Sequence, residues 1–249
     1  MNLIFFVMIK LKELNIVESK KDLQIIPQGK ILINTINAHS YNSAKKDELF
    51  AEALIKGDYL IPDGASIVKA CRWIKAKSRP KERIAGWDLF EFEMRRLNGS
   101  GGRCMFMGSS EKVLEQIRRK AAEVYSNIEV VSYSPPYKPE FTDEDNRGII
   151  EAINAADPDL LWIGMTAPKQ EKWTFSHWND LNIHCHVGTI GAVFDFFAGT
   201  YKRAPQWWQE HSLEWLYRLI KEPNRMWRRY VLGNPLFLWN ITLEAIGIR

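Results

Sequence analysis

Cysteine is scarce in this chain. The three present, Cys71, Cys104 and Cys185, are isolated and odd in number, and no Cys-x-x-Cys spacing occurs. That excludes a disulfide framework and a cysteine-built zinc site, and it fits reduced thiols. No apolar run reaches the ~18 residues that suggest a membrane span. The opening Met1–Ile9 is apolar but short, without a basic leader or a small-residue cleavage site, and it reads as a first strand rather than a signal peptide. The phosphate-cradling glycine signatures are missing as well. Gly188-Thr-Ile-Gly191 begins like half a dinucleotide fingerprint, but it has neither the third glycine nor the acidic residue that should follow, and there is no Walker-type loop. No Asp-x-Asp triplet is present to hold a metal–nucleotide pair. Of the five histidines, His184 and His186 share one strand face with Cys185 pointing away, so no ligand cluster forms and no metal is expected.

Excess charge is also missing from most of the chain. The 249 residues carry a net +4. From position 201 onward there are eight Lys and Arg against four Asp and Glu, so the first 200 residues are neutral on balance. Five of the ten tryptophans lie after position 206. A segment both cationic and aromatic suits an anionic partner with an apolar border, and a membrane surface carrying phosphorylated lipid is the first candidate. The composition shift near Arg203 divides the chain into a body, residues 1–200, and an appendage, residues 201–249. Hydrophobic content of 46% is enough for a real core.

The body alternates strand and helix signals. Strands are expected at Ile31–Ile36, Tyr59–Ile61, Arg103–Met107, Ile128–Tyr133, Asp159–Ile163 and Ile183–Val187. Helices are expected at Ser40–Lys56, from Ser66, at Trp87–Leu97, up to Tyr125, and at Thr142–Ala155. This is the pattern of an α/β fold with a mostly parallel sheet flanked by helices, and a helical appendage follows it. Such sheets bind ligands beyond the carboxyl ends of their strands, so the loops there are the candidate sites.

Several of those loops carry chemistry, and each has a plain structural reading beside the functional one. Pro62-Asp63-Gly64 is a good turn; it also holds a carboxylate where it can take a proton from an attacking hydroxyl. Gly164 through Glu171 is a capped helix start, or a place where Lys169 and Gln170 meet a phosphate or a sugar hydroxyl. Asp195, in an apolar helix, is a buried hydrogen-bonding group or a site residue. Arg218, Arg225, Arg228 and Arg229 form a solvated basic face, or they grip a diphosphate from between Trp215, Tyr217, Trp227 and Tyr230, with a bend at Pro223.

Taken in order, Thr35-x-Asn37, Pro62-Asp63-Gly64, Arg83-x-x-Gly86-x-Asp88, Gly108, Pro168-Lys169-Gln170-Glu171, Phe194-Asp195-x-x-Ala198-Gly199, Arg203-Ala204-Pro205, Glu214 to Arg218 and Glu222-Pro223-x-Arg225 resemble the WecG/TagA/CpsF family of bacterial glycosyltransferases. The resemblance implies a Rossmann-like body and an inverting, metal-independent sugar transfer without a cofactor. The implied donor is a UDP-sugar, UDP-N-acetylmannosamine in the best-described branch. The implied acceptor is a sugar on undecaprenyl diphosphate, met by a peripheral protein at the cytoplasmic membrane face. By the same resemblance Asp63 is the base, and Arg83 steadies it or a phosphate. Thr35, Asn37 and Gln170 position sugar hydroxyls, with Gly108, Lys169, Asp195 and Arg203 also at the substrate. Arg218, Arg225 and Arg228 close over the nucleotide diphosphate, and the appendage docks on the membrane. Gly164-Met-Thr-Ala departs from the family's usual Gly-Leu-Gly-type loop. Two further readings remain open: a transferase for a soluble acceptor with the tail as a homo-oligomer interface, and a nucleic-acid-binding module, which the neutral body disfavours.

Overall fold

The computed structural model describes residues 9–248, with the backbone alone for Arg225. The expected first strand at Met1–Ile9 lies outside the described residues except for Ile9. Six strands form one sheet: β1 (Ile31–Ile36), β2 (Tyr59–Pro62), β3 (Gly102–Gly108), β4 (Ile128–Tyr133), β5 (Leu160–Gly164) and β6 (His186–Thr189). Their order is β2-β1-β6-β5-β3-β4, and every pairing is parallel. All six carboxyl ends therefore point to one edge. The fold is α/β and Rossmann-like.

Both faces of the sheet are buried, which is why the strands read as continuous apolar runs. The strand alternation splits them. Cys104, Phe106 and Trp162 face a cluster with Phe90, Met94, Ile117 and Phe194. Met105, Met107, Leu161 and Val187 face another with Ile149, Ile153 and Trp173. Between β1 and β6, Asn34 is fully buried yet satisfied: its Oδ1 accepts from Thr189 Oγ1 at 2.8 Å and its Nδ2 donates to Ala53 O at 2.9 Å. The pair ties the two central strands together at the level of the site.

Two helices and one strand depart from sequence expectation. The stretch expected as one helix over 40–56 is two, α1 (Ala38–Ala44) and α2 (Glu48–Lys56). Asn37 caps the first, and Asp47 accepts from Phe50 N at 3.0 Å to start the second. A mid-run aspartate that can bond the backbone creates a new start. After α3 (Ala65–Trp73), α4 (Gly86–Ser100) runs through Asn98-Gly-Ser, expected as loop, because Leu97 contributes to the core and Gly101, at φ +75°, ends the helix instead. The last strand begins at His186 rather than Ile183, since only from there does it register with β1 and β5. The remaining body helices are α5 (Glu111–Val124), α6 (Asp143–Ala156), α7 (Lys169–Ser176) and α8 (Val193–Ala198).

The C-terminal part adds α9 (Gln206–Glu210), α10 (Glu214–Lys221), α11 (Pro223–Trp227), a π-helical turn Arg228–Leu232, and α12 (Gly233–Ala245). Pro223 stands at the first turn of α11, so the expected bend is a helix boundary. Along α12, Phe237 and Ile241 enter the core built by α1, α2 and α3. Glu244 accepts from Leu11 N (3.2 Å), Lys12 N (2.6 Å) and Tyr41 Oη (2.5 Å). This threefold acceptance satisfies a buried carboxylate and clamps the end of the chain to the body. On the other side of α12, Leu238 and Trp239 remain about 60% exposed, at 58% and 61%.

Candidate active site

A cavity of about 690 Å³ opens at the carboxyl edge of the sheet. All six strand ends or the loops after them contribute, from Thr35 and Asn37 after β1 to Ile190 through Asp195 after β6. A second cavity of about 500 Å³ lies between α1, α3 and the C-terminal helices. Asn37, Asp63, Arg218 and Arg229 line both.

Asp63 follows β2 and is held by backbone and side chain. Its N–H donates to Ile36 O at 2.9 Å, so β1 fixes where the residue emerges. Arg83 Nε donates to Asp63 O at 3.3 Å and Nη2 to its Oδ1 at 3.4 Å, while Nη1 donates to Glu214 Oε2 at 2.9 Å. Arg83 thus joins the body's carboxylate to the first residue of α10. About a quarter of the Asp63 side chain (28%) still faces the cavities. Desolvation by the surrounding protein raises its pKa above the usual carboxylate range. Arg83 and Arg229 pull it back down, and Glu214 pushes it further up. For Arg83, burial opposes the charge, but Asp63 and Glu214 outweigh it and hold the guanidinium protonated. A carboxylate pushed upward and still reachable from a cavity is poised as a general base.

Other expected site residues occupy defined places. Thr35 lines the larger cavity. Asn37 also caps α1, its Oδ1 accepting from His39 N and Ser40 N, which leaves its amide nitrogen for a ligand. Gln170 is buried against the cavity floor, its Oε1 accepting from Met165 N at 3.2 Å. Asp195 lines the cavity and accepts from Thr200 Oγ1 at 3.3 Å. Lys169 reaches the cavity wall, but its ammonium sits 3.4 Å over the Phe141 ring and donates to Lys138 O at 2.6 Å. Burial lowers its pKa. The Lys169 charge therefore fastens the Pro135–Phe141 loop.

Gly108 is not on the wall. At φ +126°, a Cβ there would fall 2.3 Å from Gly164 O, so this glycine lets β3 and β5 end side by side. Ser109 and Ser110, just beyond it at the start of α5, do line the cavity. Arg203 stacks on Trp87 at 5.4 Å and Arg228 on Trp227 at 5.8 Å, and neither lines a cavity. The Arg225 side chain lies outside the described residues. Arg229, in the π-helical turn, lines the site where the resemblance had put its neighbour Arg228. Sequence reasoning also missed Glu214 as the partner of Arg83 and His39 on the second cavity's wall, where burial and then Arg229 lower its pKa to about 4. A buried acid following β5 was missed too: Glu171, raised by burial to about 7. No three His, Cys, Asp or Glu side chains come together as a metal site among the described residues. No helix among them is long and apolar enough to cross a membrane.

A carboxylate between two cavities, faced by guanidinium groups at the strand ends of a parallel sheet, suits group transfer. Residues 6–249 match the model of the glycosyl transferase WecG/TagA/CpsF family, and the chain belongs to that family of glycosyltransferases. It is similar to a Bacillus subtilis (strain 168) protein named N-acetylglucosaminyldiphosphoundecaprenol N-acetyl-beta-D-mannosaminyltransferase. The two are 31% identical over 213 residues, 86% of this chain and 79% of that protein. A protein of the same name from Bacillus spizizenii is 30% identical over 83% of this chain and 76% of its own length. One from Staphylococcus aureus (strain MW2) is 26% identical over 85% and 79%.

Proposed function

We propose that this glycosyltransferase moves an N-acetylhexosamine, N-acetylmannosamine-like, from a UDP-sugar to the N-acetylglucosamine of a polyprenyl-diphosphate acceptor, with inversion and without a metal. The single observation that carries the reading is the position of Asp63 between two cavities that share Arg218 and Arg229. Inversion requires the acceptor hydroxyl to arrive opposite the leaving group. With the donor in the larger cavity and the acceptor in the smaller one, Asp63 takes the hydroxyl proton as the new C–O bond forms. The nucleotide diphosphate leaves with the bonding electrons of the broken glycosidic bond. Its growing charge meets Arg218 and Arg229, with the N-terminus of α5 at Ser109 and Ser110 on the same wall. Arg83 keeps Asp63 aimed. The names of the relatives support the transferred sugar and the acceptor chemistry.

The same reading makes residues 201–249 a membrane-docking appendage of a peripheral protein at the inner membrane face. Trp215, Ile220, Trp227, Leu232, Leu238 and Trp239 present exposed apolar surface among cationic residues there, as interfacial segments do. The decisive experiment supplies purified protein with UDP-N-acetylmannosamine and a polyprenyl-diphosphate N-acetylglucosamine, with a chelator present. The expected result is β-linked disaccharide product at an undiminished rate. No product with any UDP-sugar, or product only after a divalent metal is restored, overturns it.

A further inference from the structure

The smaller cavity changes character along its length, and the transfer derived above uses only its inner end. Helix α3 starts two residues beyond Asp63 and lines that cavity with Ser66, Lys69, Ala70 and Trp73. These fall at i, i+3, i+4 and i+7, the spacing of one helix face. With a rise of about 1.5 Å per residue, Lys69 stands about 6 Å along the axis from Ala65, and Trp73 about 6 Å beyond Lys69.

Lys69 is a cation that the proposed chemistry leaves unused. Arg83 is bonded to Asp63 and Glu214, and Arg218 and Arg229 line the larger cavity as well. Lys69 lines the smaller cavity alone, is exposed, and makes no hydrogen bond or ion pair among the described residues. Beyond it the wall turns apolar. Trp73 is 54% exposed, and α12 adds Phe237, Leu238 and Ile241, with Leu238 at 58%. Leu238 also belongs to the exposed apolar surface of the appendage, so the cavity opens onto that surface. Outward from Asp63, α3 therefore presents a carboxylate, then a cation, then a large apolar ring. A ligand that matches this order carries a hydroxyl, an anion about one sugar ring away from it, and a hydrocarbon next to the anion.

We propose that α3 reads the acceptor beyond its sugar: the Lys69 ammonium pairs with the acceptor's diphosphate, and Trp73 and Leu238 hold the first isoprene units of its chain. The assignment rests on the acceptor occupying the smaller cavity with its hydroxyl at Asp63. It makes Lys69 and Trp73 specificity-determining residues, because a sugar without the anion and the chain leaves both without a contact.

The test uses two soluble acceptors, N-acetylglucosamine linked through diphosphate to a methyl or to a farnesyl group, without vesicles or detergent, so that attraction to a lipid surface is not read. Lys69→Ala should raise the acceptor KM about 10-fold for both compounds with little change in kcat. Lys69→Arg should stay near wild type and Lys69→Glu should raise the KM further, a grading by charge that a merely structural residue would not give. Trp73→Ala should raise the KM about 5–10-fold for the farnesyl compound and leave the methyl compound alone. UDP affinity by calorimetry should stay unchanged in all four variants, which also reports that they are folded. An acceptor KM that ignores the charge at Lys69, a UDP-sugar KM that rises in step with it, or a wild type that binds the methyl and farnesyl compounds equally each overturn the assignment. So does a loss confined to sedimentation with anionic vesicles, which would make both residues membrane contacts. If the wild type transfers to neither diphosphate compound, the acceptor reading falls as well; if it transfers and the variants keep its KM values, only the assignment to α3 falls.

Discussion

On one side of the site, strand ends and short caps hold Asp63, Asn37 and Gln170. Asp63 hangs from β1 through a backbone bond and from Arg83 through two side-chain bonds. Asn37 is fixed as a helix cap and Gln170 by Met165 N. On the other side, α9 to α11 and the π-helical turn supply Arg218 and Arg229 from helices with little buried surface, Met226 and Glu214 being their only buried residues among those described. On the body side, backbone and side-chain bonds at the ends of a close-packed sheet hold these groups in place. The tail side is held by the Arg83–Glu214 bridge, by Arg203 on Trp87, and by α12 through Phe237, Ile241 and Glu244. On the mechanism proposed, the first side places the base and the second brings charge over the leaving group.

The largest expected effect falls on the rigid side. Asp63→Asn should lower kcat for transfer about 10²–10⁴-fold while leaving UDP affinity intact, measured by product formation and calorimetry. Full activity in this variant would remove the base from the body. In the wild type, the acid limb of kcat/KM should lie above the ordinary carboxylate range, because burial raises Asp63, and activity is lost as pH falls through that value. Next comes the tail: Arg218→Ala or Arg229→Ala should each cost about 10²–10³ in kcat, with less effect on acceptor KM. Equal effects on ground-state UDP binding and on kcat would make them simple binding groups.

Smaller changes are expected where the two sides join and where the tail meets its surroundings. Glu214→Gln removes a negative charge that raises Asp63, so the acid limb should move to lower pH while kcat falls less than for the arginines. An unmoved limb would uncouple tail from base. Leu232→Ser with Trp239→Ser should weaken sedimentation with anionic vesicles without changing turnover of a detergent-solubilised acceptor; both are exposed, line neither cavity and leave the buried face of α12 untouched. Truncation near residue 200 is a poorer test, since it also strips Phe237 and Ile241 from the body's core.

The smallest effect concerns stability. Burial makes folded Glu171 keep its proton to about 7, whereas the unfolded chain releases it in the ordinary carboxylate range. The folded state binds more protons in that window, so stability falls as pH rises through it and stays lower above about 7. Glu171→Gln should therefore raise the Tm at pH 8 relative to wild type, by about 2–4 °C for each kcal/mol relieved. No such gain, or a loss larger at pH 8 than at pH 5, would show that the ionised carboxylate is stabilised from within the fold.

Much of this was legible in the chain itself. Apolar runs that end at glycine or proline gave six strands and their parallel arrangement, because a strand buried on both faces has no polar alternation. The ordered motifs gave the family, and the site residues Thr35, Asn37, Asp63, Arg83, Gln170 and Arg218 do meet at one edge of the sheet. What the sequence could not carry was direction. The resemblance put Arg218, Arg225 and Arg228 over the diphosphate, and only the fold decided that Arg229 lines both cavities while Arg228 lies on Trp227. The sequence left Lys169 between a phosphate or sugar contact and a plain helix start, and only packing decided that its ammonium sits over Phe141 and bonds Lys138 O. It showed Glu171 as a surface acid at a helix start, and only the fold buried it. Composition and periodicity fix which elements form, since those depend on neighbours in sequence. The aim and protonation of a side chain depend on groups brought together from 100 or more residues away, as Arg83 and Glu214 are across 131 positions.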